Sequence, residues 1–217
     1  KLIMIMDIHM MDIVVFTHFD EDHSRGLLSI LDNIKVGSVF YGYPDESEIY
    51  RKMKKITQEK GIKTYQLSHG DGFDLDDVVF EVLNPLPQYV QYASSNDNSV
   101  VIKMTYKGFT FLFTGDLEHY GEQKILNTGI DLKADVLKVG HHGSVSSTSR
   151  PFISQVRPSF AVISVGEDNT FGHPAPQVLE TIKSHDAKIL RTDIHGAITF
   201  KIQGSNVKIY TTIPGEL

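Results

Sequence analysis

Two predicted β-hairpins, combined with repeated strand–helix alternation, restrict what this chain can fold into. The segment 99–116, SVVIKMTYKGFTFLFTGD, predicts a hairpin that turns at Lys107-Gly108, and GAITFKIQGSNVKIYTTI predicts a closing hairpin that turns near Gly204-Ser205-Asn206. Further strands are predicted at 13–17, 38–42, 64–68, 78–85, 134–140, 160–166 and 188–192, and helices at 24–33, 46–60, 118–127, 151–156 and 174–185. This mixture favours two sheets covered by helices over a purely parallel, doubly wound sheet.

The bulk properties of the chain set limits on its class. With 217 residues, 41% of them hydrophobic, and no visible repeat or linker, residues 1–217 are expected to form a single domain. A net charge of −6 gives no support for broad nucleic-acid binding, although a local basic patch or a metal-mediated phosphate contact stays open. The absence of cysteine excludes disulfides, thiolate metal sites and a cysteine nucleophile. Since no apolar run approaches the roughly 18 residues that span a bilayer, the sequence predicts a soluble chain.

The stretch FTHFDEDHSRG crowds two histidines and three acids into six positions directly after the apolar run DIVVF. Such crowding of like charges is tolerated when a cation neutralises them. Imidazole and carboxylate groups suit Zn²⁺, Mn²⁺ or Fe. A solvated acidic turn would account for Glu21, but not for two histidines that flank the acids after a buried strand. The sequence therefore predicts a divalent metal site that includes His18, Asp20, Asp22 and His23.

Two later strand ends carry further candidate ligands. FLFTGDLE places Asp116 after an apolar strand, where its carboxylate could bridge two metal ions; alone, this Gly-Asp would be interpreted as a turn or a helix N-cap. VLKVGHHGS places His141 and His142 after another strand. Adjacent side chains diverge, so one histidine could face a metal while the other supports it or contacts the substrate; the alternative is an exposed histidine pair.

Two other segments remain ambiguous from the sequence. SSNDNSVV contains Asp97 and Asn98 in an ordinary turn composition. FGHPAP places His173 just before a helix, where it could cap that helix, act as a catalytic acid or bind phosphate.

The ordered motifs H-x-D-x-D-H, DNSVV, FTGDLE, HHGS and GHP resemble the metallo-β-lactamase superfamily. Within it, the pattern is similar to the hydrolase domain of the DNA-internalisation competence protein ComEC and its stand-alone relatives, from about Asp12 to Ile198. The resemblance implies a four-layer αββα sandwich with a dinuclear metal site at one edge of the stacked sheets. It assigns His18 and Asp20 to the first metal, Asp116 to the bridge, and three residues to the second metal: Asp22, His23 and His142. His141, the neighbour of His142, is an additional candidate. Asp97 and Asn98 are also candidates, because one of them lies where the superfamily often carries a third histidine for the first metal.

The chain departs from the superfamily pattern in two places. Asp20 replaces the second histidine of the usual H-x-H-x-D-H, which hardens the first site and favours Mn²⁺ or Mg²⁺ over tightly held Zn²⁺; a single ion is also conceivable. LIMIMD resembles the second family strand, with Asp7 as the aspartate that orients the metal loop. Only residues 8–11 separate LIMIMD from DIVVFTH. Four residues are too few for the usual loop and helix, so we expect residues to be missing from the N-terminal part of the sequence.

The resemblance implies hydrolysis by a metal-bound hydroxide, with Asp22, Asp116 and His173 as catalytic residues. The first hypothesis is a phosphodiesterase or nuclease that acts on nucleic acid or a nucleotide-like diester, as in DNA uptake. The second is a lactonase or thioesterase of the same fold, and the third is a degenerate binding module without catalysis. A stand-alone enzyme would be cytoplasmic and a ComEC-type domain extracytoplasmic; the sequence decides neither this nor the oligomeric state.

Overall fold

The computed structural model describes residues 8–204 and 206–214, whose strands form two sheets and a separate hairpin. The first sheet is parallel and consists, in spatial order, of β1 (Met10–Phe16), β2 (Lys35–Tyr41) and β3 (Lys63–Gln66). The second sheet contains seven strands: β4 (Gly72–Leu75), β5 (Val78–Asn84), β6 (Val101–Tyr106), β7 (Phe109–Phe113), β8 (Val136–Lys138), β9 (Phe160–Ile163) and β10 (Lys188–Arg191). Its strands lie in sequence order from β4 at one edge to β10 at the other. The hairpin pairs β11 (Ile198–Gln203) with β12 (Asn206–Thr211).

The described part of the chain contains six α-helices and a short 3₁₀ turn at Gly140–Gly143. The helices are α1 (Glu21–Asn33), α2 (Glu48–Glu59), α3 (His119–Leu126), α4 (Arg150–Val156), α5 (Pro176–Lys183) and α6 (Thr192–His195). Helix α2 shows how local sequence sets the boundaries. The Ser47 Oγ accepts the Tyr50 N–H at 3.1 Å at its start, and Gly61, with φ of +66°, follows its end.

Three apolar clusters separate four layers. One lies between helices α1 and α2 and the first sheet and includes Phe16, Leu31 and Met53. A second, with Phe40, Val82 and Ile102, fills the space between the two sheets. The third lies between the second sheet and helices α3, α4 and α5 and includes Leu112, Ile125, Leu137, Ile153 and Ile182. The predicted αββα sandwich is therefore confirmed.

Strand β1 shows how the sequence builds this layering. Its central residues alternate, so that Val14 and Phe16 pack towards the helices while Ile13 and Val15 pack against the cluster between the sheets. Because both faces are covered, the strand is apolar at successive positions, which is typical of a buried parallel strand.

The hairpin of β11 and β12 lies over the second sheet. The Phe200 ring meets Phe111 of β7 edge-on at 5.5 Å and Phe160 of β9 at 5.8 Å. Phe111 points away from the helix side, where its neighbour Leu112 is buried, so the hairpin covers the same face of the second sheet as the first sheet does.

The structure corrects several predicted boundaries. Helix α1 begins at Glu21, not at Ser24, because the acids of the histidine-rich stretch form its first turn, where they complement the helix dipole. Strand β4 was not predicted, since most of its residues are exposed and give no apolar pattern. Both predicted hairpin turns are found, although Ser205 itself lies outside the described residues. The LIMIMD segment and Asp7 also lie outside them. Within the described ranges, every helix is too short or too polar to cross a bilayer.

The core between the second sheet and its helices gives a first test. We expect Leu137→Ala to lower the free energy of unfolding by about 2–5 kcal/mol, because Leu137 is fully buried and its truncation leaves a cavity. The control Val79→Ala, on the exposed side of β5, should change it by less than about 1 kcal/mol. Urea unfolding followed by circular dichroism measures both, and equal losses would contradict this description of the core.

Candidate metal centre

The candidate site lies where the two sheets meet at one edge. Strands β7 and β8 are parallel neighbours, so the segments that follow them, with Asp116 and with His141-His142, emerge side by side. The loop after β1 is joined to the second sheet by a hydrogen bond from the Val100 N–H to the Thr17 carbonyl, 2.8 Å long. These connections bring His18 and the first turn of α1 next to Asp116.

Four side chains converge on a common centre: Asp22, His23, Asp116 and His142. One ligand atom from each lies within 4.8 Å of the others. His23 Nε2 is 3.0 Å from Asp116 Oδ1 and 3.1 Å from His142 Nε2, while His142 Nε2 is 3.3 Å from Asp22 Oδ2. Two imidazoles and two carboxylates in this arrangement form a donor set for a divalent transition metal.

Two buried polar atoms at this centre have no hydrogen-bond partner. They are His18 Nε2 and Asp116 Oδ1, on side chains whose residues are 4% and 2% exposed. The short contact of Asp116 Oδ1 with His23 does not have hydrogen-bond geometry, so this oxygen stays unsatisfied. Leaving such an atom unpaired costs about 1–3 kcal/mol, a cost that coordination of a cation would remove. The residues present therefore fit a metal ion.

Neighbouring groups orient the histidine rings. His142 Nδ1 donates to the Ser164 carbonyl at 2.7 Å, which leaves the Nε2 lone pair facing the centre. His18 Nδ1 lies 3.0 Å from Thr17 Oγ1 and 3.3 Å from Ser99 Oγ. The same Ser99 hydroxyl accepts the Asp116 N–H at 3.0 Å, so Ser99 fixes a ligand from each sheet. This serine lies in the DNSVV motif but was not among the predicted site residues.

Glu118 is the other residue that the sequence analysis missed. Its Oε1 accepts hydrogen bonds from His141 Nδ1 at 3.0 Å and from Ser146 Oγ at 2.6 Å. His141 Nε2 is thereby directed towards Asp116 Oδ2, 3.8 Å away. A carboxylate behind a histidine is the usual arrangement that fixes a metal-binding imidazole. The only sequence signal was the second acid in GDLE.

The two adjacent histidines do not diverge as their sequence position suggested. Both have left-handed backbone conformations, with φ of 44° for His141 and 52° for His142. Both Nε2 atoms consequently approach Asp116 Oδ2, at 3.8 and 3.6 Å. Non-glycine residues in this region cost about 1–3 kcal/mol each and are concentrated at functional sites.

The HHGS and GHP segments pack directly against each other. A Cβ added to Gly143, whose φ is +82°, would lie 2.7 Å from the Cβ of Pro174, so only glycine fits there. The Gly143 carbonyl also accepts the Ala175 N–H at 2.9 Å. This contact brings the His173 ring to 5.7 Å from the ring of His141, at the rim of the centre and outside the group of four.

The remaining predicted site residues are divided between the centre and the scaffold. His18 and Asp20 form a pair beside the group of four, with 3.9 Å between His18 Nε2 and Asp20 Oδ2, and Asp20 accepts a hydrogen bond from Ser95. The structure does not bring Asp97 and Asn98 to the centre as ligands. Asp97 Oδ1 accepts the N–H groups of Glu118 and Gly121, and Asn98 Nδ2 donates to the carbonyls of Val90 and Ala93. Both residues stabilise the loops behind the site, because their polar side-chain atoms are hydrogen-bonded to backbone groups.

Electrostatics favour the metal-binding protonation states. Burial alone would raise the pKa of Asp116, but the contact with His23 and the charges of His23, His142 and His18 outweigh it and lower the pKa to about 2. Burial, reinforced by the charge of His23, lowers the pKa of His18. At neutral pH the Asp116 carboxylate is therefore ionised and the His18 imidazole is neutral, as coordination requires.

The sequence matches one protein family and several of its relatives. The sequence model of the metallo-beta-lactamase superfamily matches residues 7–167. The chain is 37% identical over 196 residues to ComE operon protein 3 of Bacillus subtilis, covering 89% of this chain and 25% of that protein. It is 32% identical over 199 residues to competence protein ComA of Neisseria gonorrhoeae, covering 91% and 26%. It thus spans about a quarter of the length of these relatives.

Solved structures share the fold at low sequence identity. CmlA, a diiron beta-hydroxylase from Streptomyces venezuelae, matches with a TM-score of 0.61 and 11% identity over 84% of this chain and 44% of that one. The metallo-beta-lactamase fold protein YhfI from Bacillus subtilis matches with a TM-score of 0.55 and 11% identity, over 83% of this chain and 74% of that one. These similarities concern the fold alone.

The Glu118–His141 pair gives a test of the centre. We expect Glu118→Gln to weaken Mn²⁺ or Zn²⁺ binding by roughly 10–100-fold, because the amide no longer fixes the imidazole as a carboxylate does. The control Glu21→Gln alters an exposed acid of α1 that pairs with Arg25, and it should bind metal as the unmodified protein does. Isothermal titration calorimetry measures both affinities. Equal affinity in Glu118→Gln and the unmodified protein would contradict this role of Glu118.

The two lowered pKa values predict how the metal-free protein responds to acid. We expect the free energy of unfolding to fall as the pH drops below 6.5, because unfolded His18 takes up a proton there while folded His18 resists it. A second loss is expected from pH 3.8 down to about 2, where only unfolded Asp116 becomes protonated. Urea unfolding in EDTA across these ranges measures the slope. His18→Gln should reduce the slope of the free energy of unfolding against pH in the first range. An unchanged slope in that variant would show that His18 is not the group responsible.

Proposed function

This chain belongs to the metallo-beta-lactamase superfamily, and on that premise we propose that it is a metal-dependent phosphodiesterase. The observation that carries the proposal is the convergence of Asp22, His23, Asp116 and His142 on one centre with two unsatisfied buried atoms beside it. The fold is generally that of metal-dependent hydrolases, so hydrolysis is the reaction class that the site supports best.

We assign the ligands as two overlapping sets. His23, Asp22 and His142 would hold one ion, His18 and Asp20 would hold a second, and Asp116 would be shared by both. His141, whose Nε2 lies 3.8 Å from Asp116 Oδ2, is an additional candidate ligand. Asp116 lies close enough to His18 of one set, and to His23 and His142 of the other, for the charges of all three to lower its pKa, which supports a shared role. The carboxylate-rich set of His18, Asp20 and Asp116 favours Mn²⁺ or Mg²⁺, while the set that contains His23 and His142 also suits Zn²⁺.

The residues of the chain have separate tasks in the reaction. When bound, the metal ions lower the pKa of a water molecule and polarise the phosphoryl group. Asp116, which is ionised at neutral pH, is the ligand that the two sets share. Asp22 has a side chain that is 63% exposed, so it lies on the solvent side, where water and substrate enter.

His173 contacts the substrate in this proposal. Burial lowers its pKa, and the charges of His141 and His142 lower it further, so the imidazole is neutral at pH 7. A neutral imidazole is a weak acid but a good N–H donor. We therefore assign His173 to a hydrogen bond with a phosphate oxygen, in preference to protonation of the leaving group.

The substrate class is inferred from the relatives. Competence protein ComA and recombination protein 2 of Haemophilus influenzae carry names that point to the handling of DNA, and the chain is 32% and 31% identical to them over most of its length. A nucleic acid or nucleotide-like phosphodiester is therefore the proposed substrate.

A second candidate is a small-molecule hydrolase such as a lactonase or thioesterase. It is favoured by the net charge of −6 and by the groove beside the centre, whose lining contains five acids and only two cations. The acids are Asp20, Glu21, Asp22, Asp45 and Glu48, and the cations are Arg25 and Lys52. Bound metal would neutralise two of these acids, which is why we rank the phosphodiesterase first.

Hydrolysis of bis-p-nitrophenyl phosphate tests the proposal. The protein loaded with Mn²⁺ should release p-nitrophenolate, and Asp116→Asn should reduce the rate by at least about 100-fold, because the amide cannot bridge two cations. Asp74→Asn, an exposed carboxylate on β4, is the matched control and should retain the rate.

The other outcomes decide between the alternatives. Activity on lactones or thioesters without diester cleavage would favour the second candidate. No bound ion after Mn²⁺ or Zn²⁺ supplementation, measured by elemental analysis, would favour a binding module without catalysis.

A further inference from the structure

We propose that Phe171 is a stacking platform for a nucleobase beside the scissile phosphodiester, so that the substrate is single-stranded nucleic acid or a nucleotide end. This inference deepens the proposed function and rests on it. It concerns the loop between β9 and α5, which the metal-ligand assignment does not use.

Phe171 presents an aromatic ring to solvent at the rim of the centre. The residue is 81% exposed, and its ring lies nearly parallel to that of His173, with an angle of 18° and 6.0 Å between centroids. One face of the phenyl ring is thus turned to His173, and the other is open. Isolated exposed apolar side chains are common, but this ring has a defined orientation because it stacks on a neighbour.

The loop that carries Phe171 is held in place by Asn169. The Asn169 Nδ2 donates to the carbonyls of Gly166 and His173, at 3.1 and 2.8 Å, and its Oδ1 accepts the His173 N–H at 2.9 Å. The contact between Gly143 and Pro174 fixes the end of the same loop against the HHGS segment. The open ring is therefore pre-organised, which lowers the entropic cost of binding a planar group.

A short series of contacts connects the platform to the centre. The His173 ring lies 5.7 Å from that of His141, and His141 Nε2 lies 3.8 Å from Asp116 Oδ2. A phosphodiester at the centre would therefore have the platform close on one side. Stacking on an aromatic face is how proteins hold bases of single strands, and it tolerates any base sequence.

The groove that borders the centre at Asp20 and Asp22 has a different character. The groove of about 710 Å³ between the starts of α1 and α2 is lined mainly by charged side chains, among them Arg25 and Lys52. The aromatic residue in its lining, Phe19, is 3% exposed and offers no open ring. A planar, uncharged base is therefore better accommodated by Phe171.

Binding to two oligonucleotides with the same phosphates tests the platform. One is a short single strand of thymidylates and the other has the same length but only abasic sites; both carry a dye at the far end and are titrated in Ca²⁺ by fluorescence anisotropy. We expect Phe171→Ala to weaken binding of the thymidylate strand by about tenfold, because a stacked base is lost, and to leave the abasic strand unaffected. Phe171→Trp should retain binding, and the control Tyr210→Ala, a half-exposed aromatic on the β11–β12 hairpin, should bind both strands as the unmodified protein does.

Each remaining outcome has a defined meaning. Equal losses on both strands, no loss on either, or no binding of the thymidylate strand by the unmodified protein would overturn the platform. Cleavage of bis-p-nitrophenyl phosphate by the unmodified protein would in those cases leave the phosphodiesterase proposal standing. Conversely, base-dependent binding through Phe171 without any diester cleavage would support the platform and refute the phosphodiesterase.

Discussion

The buried charge of Asp116 is the constraint on which the rest of the structure depends. Its carboxylate is almost fully excluded from solvent, which would ordinarily favour the neutral acid. Three histidines from two parts of the chain, His18 and His23 in one segment and His142 in another, surround it and keep it ionised instead. Those histidines need defined orientations, which the Ser99 hydroxyl provides for His18 and the Ser164 carbonyl provides for His142.

The same edge of the sandwich contains unfavourable backbone conformations and close backbone packing. The consecutive left-handed histidines and the Gly143–Pro174 contact are tolerated because two packed sheets and their helices support them. Asp97 and Asn98 act from behind the site, where they satisfy the backbone of the loops that carry Glu118 and of the segment before β6. The pattern is that of a rigid scaffold that presents a few reactive groups at its edge.

The sequence predicted two sheets covered by helices, and the strand ends at the site, because both leave local patterns: apolar runs, turn residues, and acids or histidines directly after a strand. The four-layer αββα order was implied by the resemblance to the superfamily. It could not predict that helix α1 begins at Glu21, since acids that bind metal also suit a first helical turn. Glu118 and Ser99 were missed because their roles depend on which groups lie opposite them after folding, and serine or glutamate after a strand is ordinary. His141 and His142 both approach Asp116 because of backbone angles that two adjacent histidines in a sequence do not specify.

The separation of the ligands along the chain has a consequence for how the protein is assembled. Asp22 and His142 are 120 residues apart in sequence, yet their ligand atoms are 3.3 Å apart in space. No fragment shorter than that span contains both groups, and closing so long a loop is entropically costly before the core has formed. A cation that needs both groups would therefore stabilise only chains in which the two ends of this span have already been brought together by the folded sandwich.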